Sequence, residues 1–295
     1  MNLKRLLFGL LLLLGISAGA KADTYFPYPI IPDSIGMFQK RCDYLARHFW
    51  DFCDLKKAFS AKAKMAQEFN VYISILKNAN PDSAIASVVR FNKKLEKQPA
   101  DQLFMAECAE NLLYGDTAEM WIDELYLPFA HAVASNKRID KATKARFAHQ
   151  EKILKNSLAR FPAPSLPYTT REGTAGNLDN DSADVVVVFF NDPDCDDCNL
   201  AKLRLDADIS TTQLIAEGKL KVVSISLSEP TPEWKEAVAS YPSTWRVGAN
   251  PDADMTIDLR AGTPEFYILD RNHNIRFKHL SIDQVLDVTR QLKKR

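Results

Sequence analysis

Apolar residues in the first half of the chain recur at steps of three and four, the period of an α-helix with one buried face. No strand-like alternation interrupts this pattern before Phe161. The pattern therefore predicts a succession of six helices and an all-α helical domain. The periodic segments are residues 35–49, 65–76, 85–95, 104–112, 121–129 and 147–158.

A stretch rich in Pro, Gly, Asn and Asp follows, FPAPSLPYTTREGTAGNLDNDSAD. Its composition predicts a domain boundary near Phe161. Inside it, residues 167–177 are expected to form a β-hairpin about residues 171–173. We therefore expect a helical domain over residues 23–161 and a second domain over residues 162–295.

The hydrophobic pattern changes after this boundary. Residues 185–190, VVVVFF, lack polar alternation, which is typical of a central strand covered on both faces. Helices and strands then alternate, which predicts an α/β domain: a mixed sheet with helices on both faces. The further predicted elements are helices at 210–217 and 231–240, a helical turn near Ala253, strands at 221–227, 265–270 and 274–279, and a helix from Ser281.

The first 22 residues have the layout of a secretory signal peptide. Lys4 and Arg5 precede an apolar stretch over residues 6–16, and Ala20-Lys21-Ala22 provides a cleavage site. An uncleaved membrane anchor is the alternative, but the apolar stretch is shorter than the ~20 residues a span needs. We expect cleavage after Ala22 and a soluble protein in the periplasm or another exported compartment, with no stable membrane span.

The net charge of the chain argues against two kinds of partner, nucleic acid and anionic membranes. The chain has 38 basic and 38 acidic residues; without Lys4, Arg5 and Lys21 it has 35 against 38, a net charge of −3. This balance gives no reason to expect binding to nucleic acid or to an anionic membrane.

Two cysteines, Cys195 and Cys198, follow the predicted central strand and a turn at Asn191-Asp192-Pro193, and open a predicted helix. A helix N-terminus stabilises a thiolate, and the Cys-x-x-Cys spacing lets the second sulfur attack the first. This order predicts a redox-active pair. A zinc site would need a matching pair of ligands, which the sequence does not offer. A purely structural disulfide is the second alternative.

The C-terminal segments VVVVFFNDPDCDDC, KVVSISL and IDLRAGTPEFYILDRNHNIRFK resemble the thioredoxin-like domains of exported bacterial thiol-disulfide oxidoreductases of the TlpA and ResA type. The resemblance implies that Cys195 is the attacking cysteine and Cys198 the resolving one. It also implies that Pro264 is a cis-proline facing the pair, with Thr263 directly before it as part of the substrate-positioning segment. It implies no cofactor and no metal.

The sequence departs from thioredoxin at two positions. Thioredoxin has an aromatic residue before the first cysteine and a buried carboxylate six residues before it; here these positions hold Asp194 and Phe189. The proton acceptor for Cys198 is therefore a group the sequence does not name. Asp196 and Asp197, between the cysteines, place negative charge beside a thiolate and disfavour it.

The first half resembles a helical domain of unknown function that precedes thioredoxin-like domains in exported proteins of Gram-negative anaerobes. RCDYLARHFWDFCDLKKA, ECAENLLYGD and WIDELYLPF carry this resemblance, which adds no chemistry. Cys42, Cys53 and Cys108 lie in this half, and we expect them to be buried free thiols.

Three classes of function stay open. The leading one is an exported thiol-disulfide oxidoreductase acting on disulfide-containing exported proteins, with electrons from a separate donor. A non-catalytic binding protein, with the helical domain recognising a ligand and the thioredoxin-like domain as scaffold, is the second. A peroxidase is the third. Within the first class, the acidic residues around the thiols favour a reductase or isomerase over a disulfide donor.

Overall fold

The computed structural model describes residues 26–294. The chain divides into two compact units between Glu151 and Lys152, and each is described separately below. The predicted signal peptide, residues 1–22, lies outside the described residues. Among residues 26–294 no helix has both the length and the apolar character that crossing a bilayer requires.

The first unit is helical. Each of the six periodic segments contains a helix, and a short additional helix, α2, follows Asp54, whose side chain accepts from the Lys57 N–H. Asn80 caps α4 in the same way, with Pro81 in its first turn. These are common helix-start residues. The helices are α1 Phe38–His48, α2 Leu55–Ala58, α3 Lys62–Leu76, α4 Pro81–Leu95, α5 Pro99–Leu113, α6 Asp123–Ser135 and α7 Lys141–Asn156.

Aromatic rings form much of the core of this unit. Trp50 stacks on Phe91 with ring centroids 4.6 Å apart, and Phe69 meets Phe129 edge-on at 5.5 Å. The buried Tyr72 hydroxyl is satisfied by Ser87 at 2.7 Å. Burial of such large rings supplies most of the hydrophobic stabilisation available to a unit of this size.

The three cysteines of this unit are thiols. Cys42 is buried, as expected, whereas Cys53 and Cys108 are partly exposed. Burial raises the pKa of Cys53 and that of Cys108 to about 11. Near neutral pH these two groups are protonated and therefore weak nucleophiles.

The second unit is built on a mixed sheet. Within the described residues seven strands have the order β2-β1-β5-β4-β3-β6-β7. β3 pairs in parallel with β4 and antiparallel with β6, so it is central, and the predicted α/β architecture is confirmed. The strands are β1 Pro167–Thr170, β2 Ala175–Asn177, β3 Val185–Asn191, β4 Leu220–Ser226, β5 Arg246–Ala249, β6 Glu265–Asp270 and β7 Ile275–Leu280. The helices are α8 Asp196–Ala207, α9 Ile209–Ala216, α10 Pro232–Ala237 and α11 Ile282–Lys293.

Side chains of β3 alternate between two cores. Val187 and Phe189 face the core that includes Cys198, while Val186 and Phe190 face the opposite one. Both faces of the strand are covered, which explains why its sequence is apolar without interruption. The Cys198 side chain thus belongs to one defined side of the sheet.

The strand β5 is absent from the sequence-based expectations. It joins the hairpin to the main sheet: β1 pairs antiparallel with β5, and β4 pairs in parallel with it. Gly248 allows this pairing, because a Cβ built there lies 2.3 Å from the Tyr168 ring. A four-residue strand with Gly in its interior has too little alternation and β-propensity to be recognised in the sequence.

Candidate thiol-disulfide site

The cysteine pair lies where the central strand ends and α8 begins. A tight turn joins them, in which the Cys195 N–H donates to the Asp192 carbonyl at 3.1 Å. Cys195 is the N-cap of α8: its Sγ accepts the backbone N–H of Cys198 at 3.1 Å. The sulfur therefore lies at the end of the helix where unpaired N–H groups and the helix dipole favour negative charge.

The two sulfurs differ in access. Cys195 is partly exposed, whereas Cys198 is fully buried against the sheet. Burial and the hydrogen bond with Cys195 raise the pKa of Cys198 to about 12, although Asp192 and Thr263 partly offset this. Cys195 is thus the sulfur that an incoming disulfide can reach, and Cys198 holds its proton until a reaction brings in an acceptor.

Thr263 completes the immediate surroundings of the pair. Its side chain lies near enough to Cys198 to lower the pKa of that thiol, and the Thr263–Pro264 peptide bond is cis. The structure therefore places Cys195 in direct contact with Cys198 and Thr263 close to Cys198, and Pro264 follows Thr263 directly in the chain.

Phe189, six residues before Cys195, is fully buried and stacks on Phe266 with ring centroids 4.6 Å apart. No titratable side chain takes the place of the thioredoxin carboxylate at this position. The three acids next to the cysteines, Asp194, Asp196 and Asp197, are all exposed. Water therefore screens their effect on the sulfurs.

A buried polar network underlies the pair and was not predicted from the sequence. The Tyr241 hydroxyl donates to Asn191 Oδ1 at 3.0 Å, and Asn191 Nδ2 donates to Ser224 Oγ at 2.8 Å. Burial raises the pKa of Tyr241 to about 12, with smaller contributions from the charges of Cys198, Asp192 and Cys195. Tyr241 is therefore a neutral donor within electrostatic reach of both sulfurs. These residues come from three separate elements, and nothing in the local sequence marks them as a group.

Among residues 26–294 no group of three or more His, Cys, Asp or Glu side chains has the arrangement of a metal site. The sheet order, the thiol pair at a helix start and the cis-proline segment define the class of the second unit: a thioredoxin-like domain with a Cys-x-x-Cys site.

Comparison with known proteins agrees with this class. Residues 16–157 match the family model described as a domain of unknown function, DUF5106. The match covers just under half of the chain and includes the helices of the first unit. A search of curated proteins gives no match.

Solved structures resemble the chain at low sequence identity. A thioredoxin-like protein from Bacteroides caccae is 22% identical, covers 90% of this chain and 98% of its own, and has a TM-score of 0.71. The C-terminal domain of an uncharacterized protein from Bacteroides fragilis is 27% identical over 46% of this chain and 99% of its own, with a TM-score of 0.43. The thioredoxin domain of a thiol-disulfide oxidoreductase from Bacteroides vulgatus is 19% identical, covers 46% of this chain and 97% of its own, and has a TM-score of 0.39. The first of these supports the fold.

Proposed function

We propose that this chain is an exported thiol-disulfide oxidoreductase that reduces or isomerises disulfides of exported proteins. One observation carries the proposal: the partly exposed Cys195 sulfur caps a helix and contacts the backbone of the buried Cys198. An accessible sulfur at a helix N-terminus beside a shielded partner is the arrangement that thiol-disulfide exchange requires.

The exchange proceeds in two steps. The Cys195 thiolate attacks one sulfur of a substrate disulfide, that S–S bond breaks, and the departing substrate thiolate takes up a proton. Cys198 then loses its proton and attacks Cys195 Sγ, which forms the Cys195–Cys198 disulfide and releases the second substrate thiolate. The substrate gains two electrons and two protons, and this chain becomes oxidised.

A net reductase must be reduced again, which requires a separate thiol or dithiol electron donor. In isomerisation, by contrast, the substrate resolves the mixed disulfide itself and no net electrons are consumed. Export, the substrates and the donor belong to the proposal, and the N-terminal sequence supports export.

We propose that electrons flow from the thiols of this chain to the substrate disulfide. The helix dipole favours the Cys195 thiolate by about 0.3 to 1 kcal/mol. One exposed carboxylate at about 5 Å opposes it by roughly 0.8 kcal/mol at the dielectric of water, and the exposed Asp194, Asp196 and Asp197 lie beside the pair in sequence. A less stable thiolate makes the disulfide relatively more stable. We therefore expect a midpoint potential nearer the roughly −270 mV of thioredoxin than the roughly −120 mV of DsbA.

Reduction of insulin by the purified chain in the presence of dithiothreitol tests the activity. We expect Cys195→Ser to abolish catalysis and Cys108→Ser, a matched change at another partly exposed thiol, to leave it unchanged. A glutathione redox titration followed by alkylation then gives the potential. Equal activity of wild type and Cys195→Ser would refute the proposal, and a potential close to that of DsbA would reverse its direction.

The substrates can be identified by trapping. Cys198→Ala removes the resolving sulfur, so mixed disulfides formed at Cys195 accumulate. Mass spectrometry of the trapped partners is expected to recover exported proteins that contain disulfides, and Cys195→Ser/Cys198→Ala is the control that should recover none.

A further inference from the structure

A cluster of charged side chains lies at the segment that carries Thr263 and Pro264. This segment, residues 258–265, begins at Asp258 and ends at Glu265, and both carboxylates are buried. His279 on β7 lies between them: its Nε2 is 3.2 Å from Asp258 Oδ2, and its Nδ1 is 2.6 Å from Glu265 Oε1. One imidazole ring thus bridges the two ends of the segment.

The backbone of β7 is shaped to make this bridge. Phe266 pairs with Leu280, and Ile268 pairs with Phe277, so Tyr267 faces two residues, Lys278 and His279. This is a β-bulge, which re-aims side chains relative to the regular alternation of a strand. Without it, Lys278 and His279 would point to opposite faces of the sheet.

His279 also has a left-handed backbone, with φ 55°. A non-glycine residue in this conformation is strained and persists only where its surroundings fix it. The contacts with Asp258 and Glu265 are the surroundings that do so here. The bulge and the left-handed backbone therefore both determine where the His279 imidazole lies.

The charges around the ring favour its protonated form. Burial lowers the pKa of His279, but the hydrogen bond with Asp258 and the nearby Glu265 carboxylate outweigh this and raise it. Burial raises the pKa of Glu265, which His279 partly opposes. The titratable groups in contact with the ring are Asp258 from the segment and Glu265 and Tyr267 from β6. Two cations, Arg260 from the segment and Lys278 from β7, contact the Asp258 carboxylate beside it.

The chemistry of imidazole makes the bridge dependent on its proton. Protonated imidazole carries a positive charge that attracts the Asp258 and Glu265 carboxylates at once. Neutral imidazole donates from one nitrogen only and turns a lone pair toward the other carboxylate. Loss of the proton therefore releases one end of the segment unless Glu265 becomes protonated instead.

We propose that His279 is a positioning residue for the thiol site, holding both ends of segment 258–265 so that Thr263 stays against Cys198. Its role in catalysis rests on the proposed oxidoreductase function, whereas its role in ordering the segment does not. Thr263 lies near enough to Cys198 to lower the pKa of that thiol, so a loosened segment alters the surface that a substrate disulfide meets beside the sulfurs.

Hydrogen exchange of the full chain tests the ordering without any assay of activity. The N–H groups of Arg260 and Gly262 hydrogen-bond inside the segment and report its opening. In His279→Asn, which keeps a residue that tolerates the left-handed backbone, we expect these amides to exchange about tenfold faster at pH 6.5. His273→Asn is the matched control, because His273 also has a left-handed backbone, with φ 60°. Equal exchange in the two variants would overturn the proposal.

Substitutions of Glu265 separate bridging from packing, and they remain informative if His279→Asn does not fold. Glu265→Gln keeps a polar oxygen close to His279 Nδ1, whereas Glu265→Leu does not. We expect exchange in the segment to stay within about twofold of wild type in the first variant and to rise about tenfold in the second. Similar exchange in both would show that the bridge does not order the segment.

Activity gives the final readout. We expect His279→Asn to raise the KM for insulin about five- to tenfold with little change in kcat, since the loss lies in substrate placement. Alkylation of Cys195 by iodoacetamide should stay within twofold of wild type. A fall in alkylation equal to the fall in kcat/KM would instead mean that the sulfur itself is perturbed, which contradicts a positioning role. Absence of insulin reduction by wild type would refute the proposed function and leave the exchange test standing.

Discussion

The Tyr241 hydroxyl donates a hydrogen bond to Asn191 Oδ1 at 3.0 Å, so a side chain after α10 fixes the last residue of the central strand. Asn191 is fully buried and its Nδ2 is bonded to Ser224 and to backbone carbonyls. The amide is therefore held in one orientation directly before the turn that carries Cys195. The position of the Cys195 sulfur depends on this buried network as well as on the helix that follows it.

Removing the hydroxyl is expected to destabilise the second unit. In Tyr241→Phe the buried Asn191 Oδ1 loses its donor, which costs about 1 to 3 kcal/mol. Urea unfolding of Tyr241→Phe, Asn191→Ala and the double variant measures the coupling between the two residues. We expect a coupling of about 1 kcal/mol; strictly additive effects would show that the pair is not coupled.

The two thiols should differ strongly in reactivity. The pKa of Cys198 is raised to about 12, so this group holds its proton at pH 8, and it is also fully buried. Brief treatment of the reduced chain with iodoacetamide at pH 8 should modify Cys195 at least about a hundredfold faster than Cys198. Peptide mass mapping distinguishes the two sites. Comparable labelling of both sulfurs would contradict the described burial of Cys198.

Gly248 is expected to tolerate no side chain. In Gly248→Ala the new Cβ lies 2.3 Å from the Tyr168 ring and 3.0 Å from the Thr169 carbonyl oxygen. Overpacking of this kind costs about 1 to 3 kcal/mol. The matched control is Gly36→Ala, since nothing lies within 4 Å of a Cβ built there. Thermal unfolding checks the prediction. Melting temperatures equal to that of wild type in both variants would contradict it.

The buried Asp258 carboxylate should make the free energy of unfolding depend on pH. Burial raises its pKa, but His279, Lys278 and Arg260 outweigh this and leave the pKa below the ordinary value. As pH falls, the unfolded chain therefore takes up this proton before the folded one does. The stability contributed by the ionised group is complete above about pH 5 and is lost progressively below pH 4.

Urea unfolding between pH 2 and pH 7 measures this dependence. Asp258→Asn removes the buried carboxylate that Arg260 and Lys278 contact, so we expect a loss of about 3 to 5 kcal/mol at pH 7. The difference from wild type should shrink as pH falls. Asp254→Asn, a change at an exposed acid close by, should follow wild type throughout. A difference that stays constant with pH would contradict an ionised Asp258.

Local sequence patterns were sufficient for much of the fold. Residues 185–190 are apolar without interruption because both faces of β3 are covered, and the resulting prediction of a central strand is confirmed. The helices of the first unit follow from apolar stripes and from start residues such as Asn80 and Pro81. In these segments burial and local propensity act in the same direction.

The parts that sequence did not reveal depend on tertiary contacts. Asn191 and Tyr241 are fifty residues apart, and their side chains meet only after the sheet has formed. Asp258 and His279 are charged or titratable and would ordinarily be assigned to the surface; a β-bulge brings them into one buried cluster. No local sequence pattern marks either arrangement, because the topology of the fold decides which residues meet when they are far apart in the sequence.

The hydrogen bond from the Cys198 N–H to Cys195 Sγ makes the backbone of α8 a natural reporter of the redox state. Closing the disulfide bonds that acceptor sulfur to Cys198 Sγ, so the environment of this one amide changes whenever the pair is oxidised or reduced. The chemical shift of the Cys198 amide proton can therefore follow the dithiol and disulfide populations in real time, without any label at the reacting atoms.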